Sequence, residues 1–124
     1  MNQIYQIQSK LNAFDQLNIA RKLSPAFPLI KAVVDQDNAG KDKGVLIVMA
    51  LGMLSDEGNK YVVEKCLSTV VRTQDNGALA KIFINGQLMF DDLTLTDITE
   101  ITAQVIEDNL GNFLNTALSA LGKD

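Results

Sequence analysis

The sequence predicts a mainly α fold: a single small helical domain over residues 1–124, with about five helices and one short β-hairpin near residues 79–90. Three observations carry this. Apolar residues recur at spacings of three and four along most of the chain, the mark of helices that bury one face. In one stretch, Lys81 to Leu93, the apolar period is plainly two, and there Asn85-Gly86 sits between two short apolar runs and supplies the two positive φ angles of a type I′ turn. Finally, 47% hydrophobic content in 124 residues suffices for one buried core, and no segment has a disordered composition. Two strands this short are not stable alone in water, so the hairpin needs a helical floor.

Taken in order, Ile4, Ile7 and Leu11 form an apolar start. Asn12 then reads as an N-cap, with Asp15 meeting the free amides three residues on. Phe14, Leu17, Ile19 and Ala20 follow at near-helical spacing, and Arg21-Lys22 suit the negative end of the helix dipole. Ser24-Pro25 repeats the start signal for a second helix whose apolar face is Phe27, Leu29, Ile30, Val33 and Val34, ending near Asp35. Residues 35–44 are polar and glycine-rich, a loop. Asp35, Asp37 and Gly40 match three positions of a calcium-binding EF-hand loop, but Ala39 and Leu46 stand where further ligands are needed, so a solvated loop is the better reading.

Val45 to Leu54 has no polar face. Its length and its methionine, alanine and leucine content favour a central buried helix over a strand. Gly52 is unfavourable within it unless another backbone packs closely there. Ser55-Asp-Glu57 opens the best amphipathic pattern in the chain, with Val62, Cys66 and Val70 in one row and Val63, Leu67 and Val71 in the next. Gln74 to Gly77 ends that helix, and the hairpin follows. In it, Ile82, Ile84, Leu88 and Phe90 pin to the floor while Phe83 and Met89 take the other face. Thr94 to Asp97 cap a last helix whose stripe is Ile98, Ile101, Val105, Ile106 and Leu110. Asn109 to Gly111 mark a kink or an end, after which Phe113, Leu114, Ala117, Leu118 and Leu121 resume the stripe.

The chemistry-bearing residues are few. There is no histidine or tryptophan, so no residue serves as a ready base, and the lone Cys66 lies in an apolar row as a small buried hydrophobe. Asp91-Asp92 read as solvating charges at the end of the hairpin, because neighbours on an extended chain point to opposite sides. No phosphate loop, nucleophile elbow or zinc spacing is present, and the expectation is a non-enzymatic protein without metal or cofactor. Eleven basic against 15 acidic residues, with no basic cluster and a net charge of −4, make nucleic acid a poor partner. No apolar run approaches the roughly 20 residues needed to cross a bilayer, and the first residues have no secretory pattern. One cysteine excludes an internal disulfide framework and fits a reducing compartment.

Four blocks in one order carry a family resemblance: Asn12-Ala-Phe-Asp-Gln-Leu-Asn-Ile-Ala-Arg-Lys-Leu-Ser-Pro25, Tyr61-Val-Val-Glu-Lys-Cys-Leu-Ser-Thr-Val-Val-Arg72, Asn85-Gly-Gln-Leu-Met-Phe-Asp-Asp92 and Asp108-Asn-Leu-Gly-Asn-Phe113. Together they resemble bacteriophage and prophage tail assembly chaperones. The resemblance implies a helical, non-enzymatic protein of the bacterial host cytoplasm that binds the tape measure protein and helps recruit tail tube protein subunits. It also implies that a chain ending at Asp124 is the shorter of two products of a translational frameshift. The alternative is a head–tail connector or tail completion protein that stays in the virion. The expected partner surface is the terminal helix, through Phe113, Leu114, Leu118 and Leu121, joined by Phe83 and Met89 if these face outward. A homo-oligomer is compatible with the same features.

Overall fold

The computed structural model describes residues 4–29 and 43–121, the side chains at 43, 44, 117, 118 and 121 excepted. Its elements run β1 (Tyr5–Ile7), α1 (Ala13–Leu23), a 3₁₀ turn (Ser24–Ala26), α2 (Lys43–Gly52), α3 (Asp56–Leu67), β2 (Val70–Thr73), β3 (Leu79–Lys81), β4 (Phe83–Ile84), β5 (Gln87–Leu88) and α4 (Leu95–Leu121). Most of it is helical, as expected, but the helix pattern and the extent of sheet differ. The second helix, its end near Asp35 and the loop with Asp35, Asp37 and Gly40 lie largely outside the described residues.

The centre of the molecule is α4, on which α1, α2 and α3 all pack. Thr94 and Asp97 form a reciprocal capping box: the Thr94 hydroxyl accepts from the Asp97 amide and the Asp97 carboxylate accepts from the Thr94 amide, each at 3.1 Å. Beyond the cap, Ile101, Thr102, Ala103, Val105 and Ile106 are all buried and only Gln104 between them is exposed. This stretch is therefore enclosed nearly all round, and Leu110 and Leu114 extend the buried side outward from it.

Gly111 does not end the helix, which runs on to Leu121. The φ of Gly111 is negative and the place a side chain would occupy is open space. The packing of α4 over its whole length outweighs one unfavourable residue. Gly111→Ala is accordingly expected to raise stability by about 0.5–1 kcal/mol, checked by urea denaturation at constant m-value.

The sequence placed the central helix at Val45 to Leu54 instead. The corresponding element, α2, is helical, but of its described side chains only Ile47, Ala50 and Leu51 are buried, while Val45, Val48 and Met49, and Met53 just past its end, are each 45–61% exposed. A run with no polar residues gives no phase, so one uncovered side was invisible in the pattern.

Helix α1 has the expected cap, the Asn12 side chain accepting from the Asp15 amide at 2.8 Å. Its buried face is Ile19, Ala20 and Leu23. Phe14, read from the sequence as part of that stripe, is 79% exposed, since at about 100° per residue it points nearly opposite Leu23. Ser24 does not cap a following helix; its hydroxyl donates back to the Arg21 carbonyl at 2.8 Å and closes α1.

Helix α3 opens on Ser55, whose hydroxyl accepts from the Gly58 amide, and buries Val62, Cys66 and Leu67. It stops there. The expected rows ran on through Val70 and Val71, yet these two form the middle strand of an antiparallel sheet ordered β1-β2-β3. Tyr5 pairs with Arg72 and Ile7 with Val70 on one side, Val71 with Lys81 and Thr73 with Leu79 on the other. A spacing of four is compatible with helix, but the β-branched run Thr69 to Val71 loses side-chain freedom in one, and here two strands satisfy its backbone. Thr69 marks the change by donating its hydroxyl to the Cys66 carbonyl at 2.9 Å.

The chain then turns through Gly77, whose φ of 85° only glycine adopts at little cost. The predicted hairpin is β4–β5, with positive φ at both Asn85 and Gly86. Its facing differs from the expectation. Ile82 is buried, and Phe83 and Phe90 pack against the core, whereas Ile84, Leu88 and Met89 are each 41% exposed. Ile82 lies between β3 and β4 and belongs to neither; the bend there breaks the alternation, so Phe83 turns inward and Ile84 outward.

Candidate functional site

The residues nominated from the sequence fall in different places. Phe113 is 54% exposed on α4, whereas Leu114 is 2% exposed and belongs to the core. Leu118 and Leu121 lie on the last turns of α4, where side chains are not described. Met89 is exposed at the end of the hairpin, and Phe83 is half-buried beneath it.

Phe113 lies in an apolar groove between α1 and α4, with a volume of ≈ 210 Å³. Ala13, Gln16, Leu17 and Ala20 line one wall; Asn109, Leu110 and Phe113 line the other. The small side chains of Ala13 and Ala20 leave the space, and Leu17, 53% exposed, faces it beside Phe113. Asn109 holds the two walls together. Its side-chain carbonyl accepts from the Leu11 amide at 2.8 Å and from Gln16 Nε2 at 3.3 Å, and its own amide donates to the Val105 carbonyl at 2.9 Å. The Asn109 side chain and Gln16 Nε2 are thus engaged, and what the groove mainly offers is apolar contact. Leu17 could not be found from the sequence, because an apolar residue in an amphipathic helix is read as core unless the partner helix is known to stop short of it.

A second groove, of ≈ 410 Å³, runs between α3, the hairpin and the start of α4. Phe83, Leu88 and Ile98 give it an apolar side, and Asp56, Lys60 and Glu64 a charged one. Phe83 therefore faces this groove from beneath the hairpin.

Several charged residues hold elements together. Arg72 grips Asp92 with two hydrogen bonds, 2.6 Å and 2.9 Å, and lies over the Phe90 ring at 4.4 Å. This overturns the view of Asp92 as a merely solvating charge: it ties the exit of the hairpin to β2. The hydrogen bonds from Arg72 hold the Asp92 carboxyl below the usual carboxylate range, and the pair raises the Arg72 pKa in turn. Between α1 and α3, the Tyr61 hydroxyl donates to Asp15 at 3.3 Å while Lys22 and Lys65 flank its ring.

Cys66 is 0% exposed, and burial pushes its thiol up to about 12. At neutral pH it is a protonated core group, not a nucleophile. Among the described residues, no three His, Cys, Asp or Glu side chains converge on a metal-sized site. No helix among them is long and apolar enough to cross a membrane. Beside the two mainly apolar grooves, a third of ≈ 410 Å³, lined by residues that include Arg72, Gln74, Asp75 and Asn76, is mainly polar.

A family model described as "Phage tail assembly chaperone protein, TAC" matches residues 2–122. No curated protein and no solved structure matches the chain.

Proposed function

The chain belongs to the phage tail assembly chaperone family, and we propose that it binds the tape measure protein in the host cytoplasm and helps bring tail tube subunits to it. The family supports the general role. The observation that carries the finer reading is the groove between α1 and α4, where Leu17 and Phe113 stand half exposed and the Asn109 side chain is already bonded. Such a groove accepts the apolar face of an amphipathic helix and gives an aggregation-prone client a water-excluding surface. Phe113 is its anchor. Leu114, on the buried side of α4, supports the groove from behind, Leu118 and Leu121 continue the same helix, and Phe83 and Met89 offer a second contact at the hairpin.

Truncating the chain after Gly111 is a poor test, since it removes the core residue Leu114. Point substitutions separate binding from folding. Co-expressed with the tape measure protein of the same phage, the wild-type chain is expected to keep it soluble and to co-purify with it. Phe113→Asp and Leu17→Asp are expected to reduce the recovered complex about tenfold or more while leaving the melting temperature within a few degrees, both side chains being on the surface. Unchanged recovery in both variants would overturn the groove as the site. Mass spectrometry of purified particles checks the role itself. The chaperone reading expects the chain to be absent, and finding it there in stoichiometric amount would favour a structural connector or completion protein.

A further inference from the structure

Helix α2 and the turn just after it carry an apolar surface that stands exposed among the described residues. Val45, Val48, Met49 and Met53 are 61%, 45%, 53% and 53% exposed, and with Gly52 they make one stripe at spacings of three and four, opposite the buried Ile47, Ala50 and Leu51. Among the described residues, no ionisable side chain interrupts it. Gly52 is the telling residue. It is exposed, its φ is negative, and a Cβ built on it would meet nothing within 4 Å. It is the last residue of α2, and neither its conformation nor packing among the described residues calls for glycine there. A missing side chain on an outward apolar stripe suits the close approach of a second backbone from outside.

We propose that this stripe is a docking surface for one amphipathic helix of the client, whose uncharged face crosses α2 at Gly52. The proposal rests on the chaperone reading above and adds a second contact surface to it. The size of the stripe argues for a helix and against a second copy of the chain. Four half-exposed side chains offer roughly 400 Å² of apolar surface, about half of the ~800 Å² per partner that a stable protein interface buries. Its lack of charge selects an uncharged partner face, because a carboxylate or ammonium laid on it would be desolvated without a partner. Two of its four large side chains are methionines, flexible and polarizable, which adapt to helices of varied sequence along a long client.

Overlapping peptides that tile the tape measure protein of the same phage, titrated against the intact chain by fluorescence anisotropy, test this. At least one peptide with an uncharged helical stripe is expected to bind. Met49→Glu should weaken it about tenfold, and Gly52→Ala several-fold, with Gly52→Ala melting no lower than wild type and Phe14→Asp, exposed on α1 outside both grooves, still binding that peptide. Peptide binding equal to wild type in both Met49→Glu and Gly52→Ala overturns the inference and leaves the chaperone reading standing. If no peptide binds even the wild type and the tape measure protein does not co-purify, both readings fall together. A lower melting temperature for Gly52→Ala means that the face is already covered within the chain. A wild-type dimer that Met49→Glu converts to monomer, seen by light scattering, means that a second copy covers it. Either result also overturns the proposal.

Discussion

Leu114→Ala is expected to cost about 3 kcal/mol of folding stability, while Phe113→Ala, one residue away, stays within about 0.5 kcal/mol of wild type. Leu114 is 2% exposed and joins the core cluster with Leu110 and Ile106; Phe113 is 54% exposed at the mouth of the groove. Removing three buried carbons forfeits their transfer free energy and leaves a hole that α1 and α4 can only partly close. Removing the Phe113 ring takes away surface that water already reaches. Urea denaturation followed by circular dichroism measures both, and a loss of less than about 1 kcal/mol for Leu114→Ala would contradict its place in the core. The comparison also bears on function: a binding defect in a Leu114 variant is a folding defect first, so only Phe113 and Leu17 report on the groove itself.

Stability is expected to fall steadily in alkali, and most of the fall is expected to vanish in Cys66→Ala. Burial raises the Cys66 thiol from its ordinary value of 9.0 to about 12. Between those values the unfolded chain gives up the proton and the folded chain keeps it. The thiol's contribution is therefore complete below pH 9.0 and is lost as pH rises toward about 12, at about 1.4 kcal/mol per pH unit at the steepest. Tyr5 is shifted the same way, mainly by burial, against the opposing effect of the nearby Arg72, so a part of the slope survives in the variant. The measurement is the unfolding free energy at several pH values from 8 upward, compared as slopes because Cys66→Ala also removes buried volume. A wild-type slope equal to that of the variant would mean that the thiol is reached by water. Slow alkylation of the native protein at neutral pH, and rapid alkylation in denaturant, is the companion result.

The candidate site was legible in part. Phe113 follows Gly111 in a helical stripe and stands at the surface, but the same stripe contains Leu114, which is buried. Consecutive positions are about 100° apart on a helix, so a list of apolar residues without a fixed core direction includes both faces. Leu17, across the groove from Phe113, was assigned to the core because a helix read in isolation assumes one partner along its whole length. The stripe on α2 escaped for a related reason: an apolar run without polar residues looks the same buried or half buried.

The sequence by itself determined the local punctuation of the chain: the Asn12 and Ser55 caps, the Thr94–Asp97 box, the Asn85-Gly86 turn and the mainly helical character. Each depends on groups within a few residues of one another, where side-chain hydrogen bonding and allowed φ leave little choice. Its blocks also carried the family. Only the tertiary structure decided that Val70 and Val71 leave the helix for a sheet, since the strands that satisfy their backbone come from Tyr5–Ile7 and Leu79–Lys81. It also decided that α4 rather than α2 is the enclosed helix, and which apolar residues are left facing outward. Those outcomes depend on which surfaces meet, and burial is a property of pairs of elements far apart in the chain. The half-exposed faces on which a binding protein acts are what remains after those pairs have formed.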